Sequence, residues 1–266
     1  MRLRQQYLTK NDCYREGRYI AVQGVMIHST AANNTKASRY VPGNDEIGRN
    51  TGGNHWDIND ADYKKKFGKD LEKCVHAIIG TFADGGIGTV QTLPWTMRGW
   101  HCGGLANDSH IGIEICEDNL TDTSYFEAVY REAVEVTAML CKEFGLDPLK
   151  DGVVLCHAEG RAAGIASNHG DVLHWWPKHG KSMHDFRADV ARMLKGESEE
   201  VVRYNTLAEI RTAVPWAVPT IRKMIDKGYL AGNGKKDANG DPADLDLSMD
   251  MIRILVMNNS AGVYGN

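Results

Sequence analysis

The chain has 266 residues, 42% of them hydrophobic, and its 31 basic against 35 acidic side chains leave a net charge of −4. That length suits one domain of ordinary size with a smaller one beside it. The charge provides no broad basic field, which excludes the usual footing for nucleic acid and gives little attraction to anionic membranes.

No apolar run approaches the roughly 18 residues that a membrane helix needs, and the N-terminal MRLRQQYLTKND lacks the apolar centre of a secretory signal. A soluble chain made in the cytoplasm, without membrane insertion, is expected. Cys13, Cys74, Cys102, Cys116, Cys141 and Cys156 are scattered, with no CxxC spacing, and read as free buried thiols in a reducing compartment.

Residues 5–17 read as a polar amphipathic arm leading into a strand over Ile20–Ile27. The apolar Val25-Met26-Ile27 is followed by His28 and then Ser29-Thr30-Ala31-Ala32, so His28 is expected at a strand exit, where a side chain can turn into a cleft. From Asn33 to Tyr63 the composition is Asn/Gly-rich and weakly periodic, with a helical look over Asp45–Asn50. Val75–Ile79 predicts a strand, Ala83-Asp84-Gly85-Gly86 a hairpin turn and Ile87–Leu93 the returning partner. His76, inside the first of these, reads as a satisfied sheet residue. In Trp100-His101-Cys102-Gly103-Gly104 the glycines open the backbone around His101. The Cys102 thiol beside it is no sign of a cysteine peptidase, because catalytic partners are brought together by folding rather than by adjacency. Ile111–Cys116 reads as a buried strand carrying one carboxylate, Glu114, and a lone buried carboxylate is costly unless it is paired or working.

Phe126, Val129, Tyr130, Ala133, Val136, Leu140 and Phe144 recur at three- and four-residue steps and predict an amphipathic helix over Ser124–Phe144, capped by Thr123 or Ser124 and ended by Gly145 with Pro148. Val153–Cys156 is the next buried strand, with His157 at its exit. Gly160, Gly164, Ala166, Ser167, Asn168 and Gly170 then form a turn-prone loop that folds back and brings His169 and Asp171 toward His157. A helix over His184–Leu194 follows, capped by Ser182. Strands alternating with long helices predict an α/β fold, a mixed central sheet with helices packed on it.

Charge accumulates after Leu194. A linker at 195–203 is expected to separate a catalytic domain, 1–194, from a small helical C-terminal domain, 204–266. Two short helices are predicted there, Pro219–Lys227 closed by Gly228 and Met249–Asn259 capped by Ser248 and closed by Gly262, with Ile221/Met224/Ile225 packing on Ile252/Leu255/Val256. The loop at 237–244 has its glycine in the wrong place for a calcium loop and reads as a solvated turn. WAVPTIRKMIDKGYLAG resembles one repeat of an S-layer homology module, a cell-wall anchor. The alternatives for this domain are wall binding and a helical cap that packs on itself or pairs with a second copy as a homodimer.

The densest feature lies between Leu155 and His179. Of the ten histidines, His157, His169, His174, His179 and His184 fall in or just after it, interleaved with Asp171 and the Trp175-Trp176 pair. A hydrolytic zinc site takes about three protein ligands and one open position for water. His157 and Asp171 supply two, and His28 is the best third. The spacing is not that of a zinc finger or an HExxH helix.

VMIHSTAANN, WHCGG, NDSHIGIEICED, CHAEG and SNHGDVLHWW, in this order, resemble the zinc-dependent N-acetylmuramoyl-L-alanine amidases, a family that also contains peptidoglycan-recognition proteins and amidase-type phage lysozymes. The resemblance covers roughly residues 18–190 and is closest to the amidase domains of endolysins from phages of Gram-positive bacteria. It implies an α/β sandwich and hydrolysis of the bond between the lactyl carboxyl of N-acetylmuramic acid and L-alanine in peptidoglycan. It also implies zinc on His28, His157 and Asp171, where many members have cysteine at the third place. Glu114 falls on the family's general base. His169 falls where a lysine more commonly steadies the oxyanion, with Asn168 sharing that role, and Trp100 and His101 fall in a loop beside the substrate. An endolysin would stay in the cytoplasm until the membrane is breached. Two other classes compete. A non-catalytic peptidoglycan-binding protein of this fold normally lacks a full ligand set, and a metal-dependent nuclease is opposed by the net acidity.

Overall fold

Two neighbouring apolar strands, one carrying His28 and the other Glu114, decide how the sheet divides its faces. A computed structural model describes residues 1–71, 73–196 and 203–264. The chain separates into two compact units, Met1–Glu197 and Ser198–Asn266, and residues 197–202, the greater part of the expected linker, lie outside the described residues.

In chain order the first unit runs β1 (Leu3–Gln5), α1 (Asp12–Glu16), β2 (Gly24–Asn33), β3 (Gly43–Asn44), β4 (Gly48–Arg49), α2 (Asp60–Phe67), β5 (Ala77–Thr81), β6 (Ile87–Gln91) and β7 (His110–Glu117). It continues with α3 (Thr123–Phe144), β8 (Val154–Cys156), α4 (His157–Ala162) and α5 (Met183–Leu194). Six strands form one mixed sheet in the order β1-β6-β5-β7-β2-β8. Only the β5–β6 hairpin is antiparallel; β1–β6, β5–β7, β7–β2 and β2–β8 are parallel.

Side chains alternate across a strand. Val25 and Ile27 of β2 and Ile111, Ile113 and Ile115 of β7 share one core with Phe126, Val129, Ala133 and Leu140 of α3 and with Phe186 and Val190 of α5. Each of these Val, Leu, Ile and Phe side chains, fully buried, contributes roughly 1.5–3 kcal/mol. Met26, His28, Gly112 and Glu114 alternate with them and so face the other way. On that side the loops pack a second core, which includes Tyr40, Val41, Ile47, Trp56, Ile78 and Val90. The sheet is thus wedged between helices on one face and a loop layer on the other, and the site opens in the loop layer.

Several boundaries differ from the sequence reading. β2 starts later than Ile20 and runs on to Asn33, so His28 lies inside a strand rather than at its exit. The span Asp45–Asn50 is not helical. Its centre is a tight hairpin joining β3 to β4, in which Asn44 Oδ1 accepts from the Glu46 and Ile47 amides at 2.9 Å. The helix of that region is α2, capped by Asn59. Asp122, not Thr123 or Ser124, caps α3, its side chain accepting from the Tyr125 amide at 3.0 Å. The loop expected after His157 begins as the short helix α4.

In the second unit β9 (Arg203–Tyr204) pairs antiparallel with β10 (Leu247–Ser248), and three helices follow the fold: α6 (Leu207–Ala213), α7 (Val218–Asp226) and α8 (Met249–Ser260). Leu207, Ile210, Val214, Ile221, Leu247 and Ile252 make its core, with Ile225, Leu255 and Val256 packed against it. The sequence reading had two helices. The third, α6, carries a Thr206/Glu209 capping box. The loop at 237–244 folds on itself, the Asp237 amide donating to Asp241 O at 2.8 Å, and is tied to α7 by the Arg222–Asp241 ion pair. Among the described residues no helix is long and apolar enough to cross a membrane.

Candidate metal centre and active-site cleft

Parallel pairing sets His28 of β2 directly against Glu114 of β7, which puts both side chains on the loop-covered face. On the other flank of β2, Ile27 pairs with Cys156 of β8, so the next residue, His157, enters α4 close to His28. Asp171 comes from outside the sheet. It opens a single turn, Asp171–His174, with φ 41°, a left-handed conformation that costs a non-glycine residue about 1 kcal/mol. The surroundings impose it. Val172 and Trp175 are fully buried in the main core, and His174 Nε2 lies 2.9 Å from Glu117 Oε2 at the end of β7.

The three candidate ligands meet. Asp171 Oδ2 lies 2.9 Å from His157 Nδ1 and 3.4 Å from His28 Nδ1, and the two Nδ1 atoms are 3.2 Å apart. A tetrahedral ion with bonds of about 2.0–2.1 Å spaces its ligands by roughly 3.3 Å, so the triangle has the right edge. Asp171 Oδ2 is buried and has no hydrogen-bond partner among the described residues despite those short distances. Burial lowers the His28 pKa more than Asp171 raises it. Burial pushes the Asp171 carboxyl up, but the imidazoles of His157 and His28 outweigh it and hold the carboxyl below the usual range. Two imidazole nitrogens and a buried carboxylate oxygen fit a divalent cation with nitrogen and oxygen ligands.

Glu114 lines the same cleft, a space of about 530 Å³ that also takes in Thr30, Trp56, Leu71, Lys73, Trp100 and His169. Burial, then the charge on Asp171, pushes its carboxyl up to about 8, with Lys73 opposing. A base so placed holds or releases a proton near neutral pH. His169 stands exposed at the rim, its Nδ1 3.2 Å from Ser167 Oγ and its ring 4.6 Å from that of His157.

The remaining candidates divide. Trp100 is 40% exposed in the cleft wall with the Arg98 guanidinium over its ring, free to meet a ligand. His101 has both ring nitrogens engaged within the protein, Nδ1 2.9 Å from His28 Nε2 and Nε2 3.0 Å from His110 O, so its polar atoms are not available to a substrate. Asn168 points away. It is exposed, bonded to Arg161, and absent from the cleft wall. Its neighbour Ser167, which the sequence reading passed over, is the inward one, with Oγ 3.1 Å from His157 Nε2 and 2.9 Å from Cys102 O. His76 is satisfied, as expected, although it lies one residue before β5: the Gly112 amide donates to its Nδ1 at 3.0 Å, and burial lowers its pKa to about 4.

Comparison with known proteins follows the same outline. The profile of the N-acetylmuramoyl-L-alanine amidase family matches residues 18–175. No curated protein matches the chain. Among solved structures, the Staphylococcus aureus hydrolase AmiA in complex with its ligand aligns with TM-score 0.50 at 18% identity, over 75% of this chain and 87% of that one. PlyL aligns with TM-score 0.46 at 16% identity over 71% and 97%, and a mutant endolysin from Bacillus subtilis with TM-score 0.43 at 18% identity over 71% and 99%. At such identities the likeness to AmiA speaks for the fold.

Proposed function

The chain belongs to the N-acetylmuramoyl-L-alanine amidase family, and from that membership and the geometry of the cleft we propose a zinc-dependent hydrolase of the amide between N-acetylmuramic acid and L-alanine in peptidoglycan. The observation that carries the zinc reading is the triangle of His28 Nδ1, His157 Nδ1 and the unpaired Asp171 Oδ2, closed to within 4.8 Å beside a carboxylate on the neighbouring strand. His28, His157 and Asp171 would hold the ion, which when bound supplies Lewis acidity to the scissile carbonyl and lowers the pKa of water.

The chain's own groups do the rest. Glu114 takes the proton of the attacking water and returns it to the leaving amine of L-alanine, the role that a buried carboxyl with a raised pKa suits. His169, exposed at the rim beside His157, is the group that steadies the oxyanion. With Nδ1 turned to Ser167, its Nε2 is left for the substrate. Trp100 offers an exposed ring to the muramoyl-peptide. A full set of ligand-type residues favours catalysis over binding alone. The order of the motifs, which resembles the amidase domains of phage endolysins, supports an endolysin of a phage or prophage, and the resemblance of WAVPTIRKMIDKGYLAG to an S-layer homology repeat supports a wall-attaching role for the second unit.

The test is purified protein incubated with isolated cell walls and, separately, with duplex DNA, with and without a chelator. New N-terminal L-alanine from the wall, lost on chelation and restored by zinc, is the expected result. Walls left intact, or DNA nicked, would overturn the reading.

A further inference from the structure

The WHCGG loop was expected to meet substrate through His101, yet the ring of His101 is turned inward. Its Nε2 lies 3.0 Å from the carbonyl oxygen of His110, which can only accept, so Nε2 carries the proton. Its Nδ1 lies 2.9 Å from His28 Nε2. A second proton on His101 would make a cation packed between His28 and His76, with ring centroids at 5.1 and 5.9 Å and no carboxylate bonded to it among the described residues. His101 is therefore neutral, its Nδ1 is an acceptor, and the shared proton sits on His28 Nε2.

We propose that His101 is a positioning residue for the metal centre: it fixes His28 as the Nε2–H tautomer, so that the Nδ1 lone pair already faces Asp171 Oδ2 and His157 Nδ1 before a cation arrives. This rests on the reading that His28, His157 and Asp171 hold zinc. The ring of His101 has no room to move. A Cβ on Gly112 would lie 2.5 Å from it, and one on Gly99 would lie 3.2 Å from it. Its backbone is held as well, because Asn107 Oδ1, fully buried, accepts from the amides of His101 at 2.9 Å and Cys102 at 3.1 Å. The same loop serves the second histidine. Cys102 O accepts from the Ser167 hydroxyl at 2.9 Å, which leaves that oxygen to accept from His157 Nε2 at 3.1 Å and points His157 Nδ1 to the site too. A motif that touches no cation thus sets which nitrogen of each ligand does. Partners of this kind typically change metal affinity by about 10–100-fold.

The test uses the full chain with ¹⁵N-labelled histidine. In the zinc-free protein, long-range proton–nitrogen spectra should show His28 and His101 as Nε2–H tautomers. His101→Phe keeps the ring volume and removes both hydrogen bonds. His28 should then populate both tautomers, and zinc affinity, measured against a chelator, should fall by about 10–100-fold. His101→Gln can accept from His28 and donate to His110 O, and should recover affinity to within a few-fold. A zinc-free wild-type His28 protonated on Nδ1 overturns the proposal, whatever the variants do or fail to fold into. So does a Phe variant that binds zinc as tightly as wild type, or a Gln variant as weak as Phe, which would reduce His101 to packing. If wild type shows the Nε2–H tautomer and binds no zinc, the function proposed above fails while the hydrogen-bond network stands.

Discussion

Replacing Glu114 by Gln separates the chemistry of this carboxyl from its cost to the fold. Burial, followed by the charge on Asp171, raises the Glu114 pKa from 4.5 to about 8. A carboxyl raised on folding contributes stability that is present below the unfolded value and lost as pH rises through the folded one. Across that window the wild type would give up at most roughly 5 kcal/mol. Glu114 is half-buried at the wall of an open cleft, and solvent screening reduces the figure to about 2 kcal/mol. In zinc-free protein, Glu114→Gln should therefore match wild type near pH 4 and melt roughly 4–8 °C higher above pH 8, given about 2–4 °C per kcal/mol for a domain of this size. Added zinc should shrink the difference, because a nearby dication favours the ionised carboxylate. The variant should also bind zinc and lose about 10²–10⁴ in turnover, since an amide cannot take the proton. Melting curves of chelated protein from pH 4 to 9 decide the matter. An offset between variant and wild type that does not change with pH would refute the desolvation argument, and unchanged turnover would remove Glu114 as the base.

Asp171→Ala should lose zinc and activity together, because one of three ligands goes; a chain that keeps one zinc and full wall lysis would take Asp171 out of the site. His169→Ala should cost about 10²-fold in turnover, whereas His169→Lys, which still offers an N–H donor, should keep most of the rate; a lysine variant as slow as the alanine one would count against the oxyanion role. His76, lowered to about 4 by burial and locked between the Gly112 amide and Met97 O, should stay neutral across pH 5–8 by NMR, and its share of stability should fall only as acid takes the pH from 6.5 toward 4. Deleting residues 204–266 should spare cleavage of small soluble muropeptides and weaken lysis of whole walls, because a second attachment raises the effective concentration at the substrate; equal losses on both, with a lower melting temperature, would make the second unit a structural cap.

The strongly periodic stretches were legible because burial alone writes them. The seven-residue apolar stripe of α3 and the alternation of β7 needed no tertiary information. The misreadings fall where tertiary pairing outweighs local composition. Ser29-Thr30-Ala31-Ala32 looks like a loop, yet its residues continue β2 as far as Asn33 because β7 pairs with that strand, with an irregularity after Ser29. Gly160 suggested a turn, but it sits inside α4, where a Cβ would lie 2.6 Å from the flexible end of Met26 on β2. The glycine marks a close helix-on-sheet approach rather than a break in structure.

The site shows the same division between residue type and direction. Zinc-type ligands can be picked by chemistry, and His28, His157 and Asp171 do converge. In the irregular segment 163–170 no period tells which side chains face inward, so Asn168 and Ser167 could not be told apart from the sequence. What separates them is contact with another loop. Gly103 takes φ 60°, and a Cβ on Gly104 would lie 2.4 Å from Ile165 O, so the paired glycines let the two backbones meet. That approach offers Cys102 O to Ser167 and, one residue earlier, seats His101 against His28. The glycines of WHCGG thus allow the close backbone contact that brings His101 against His28 and Ser167 against His157.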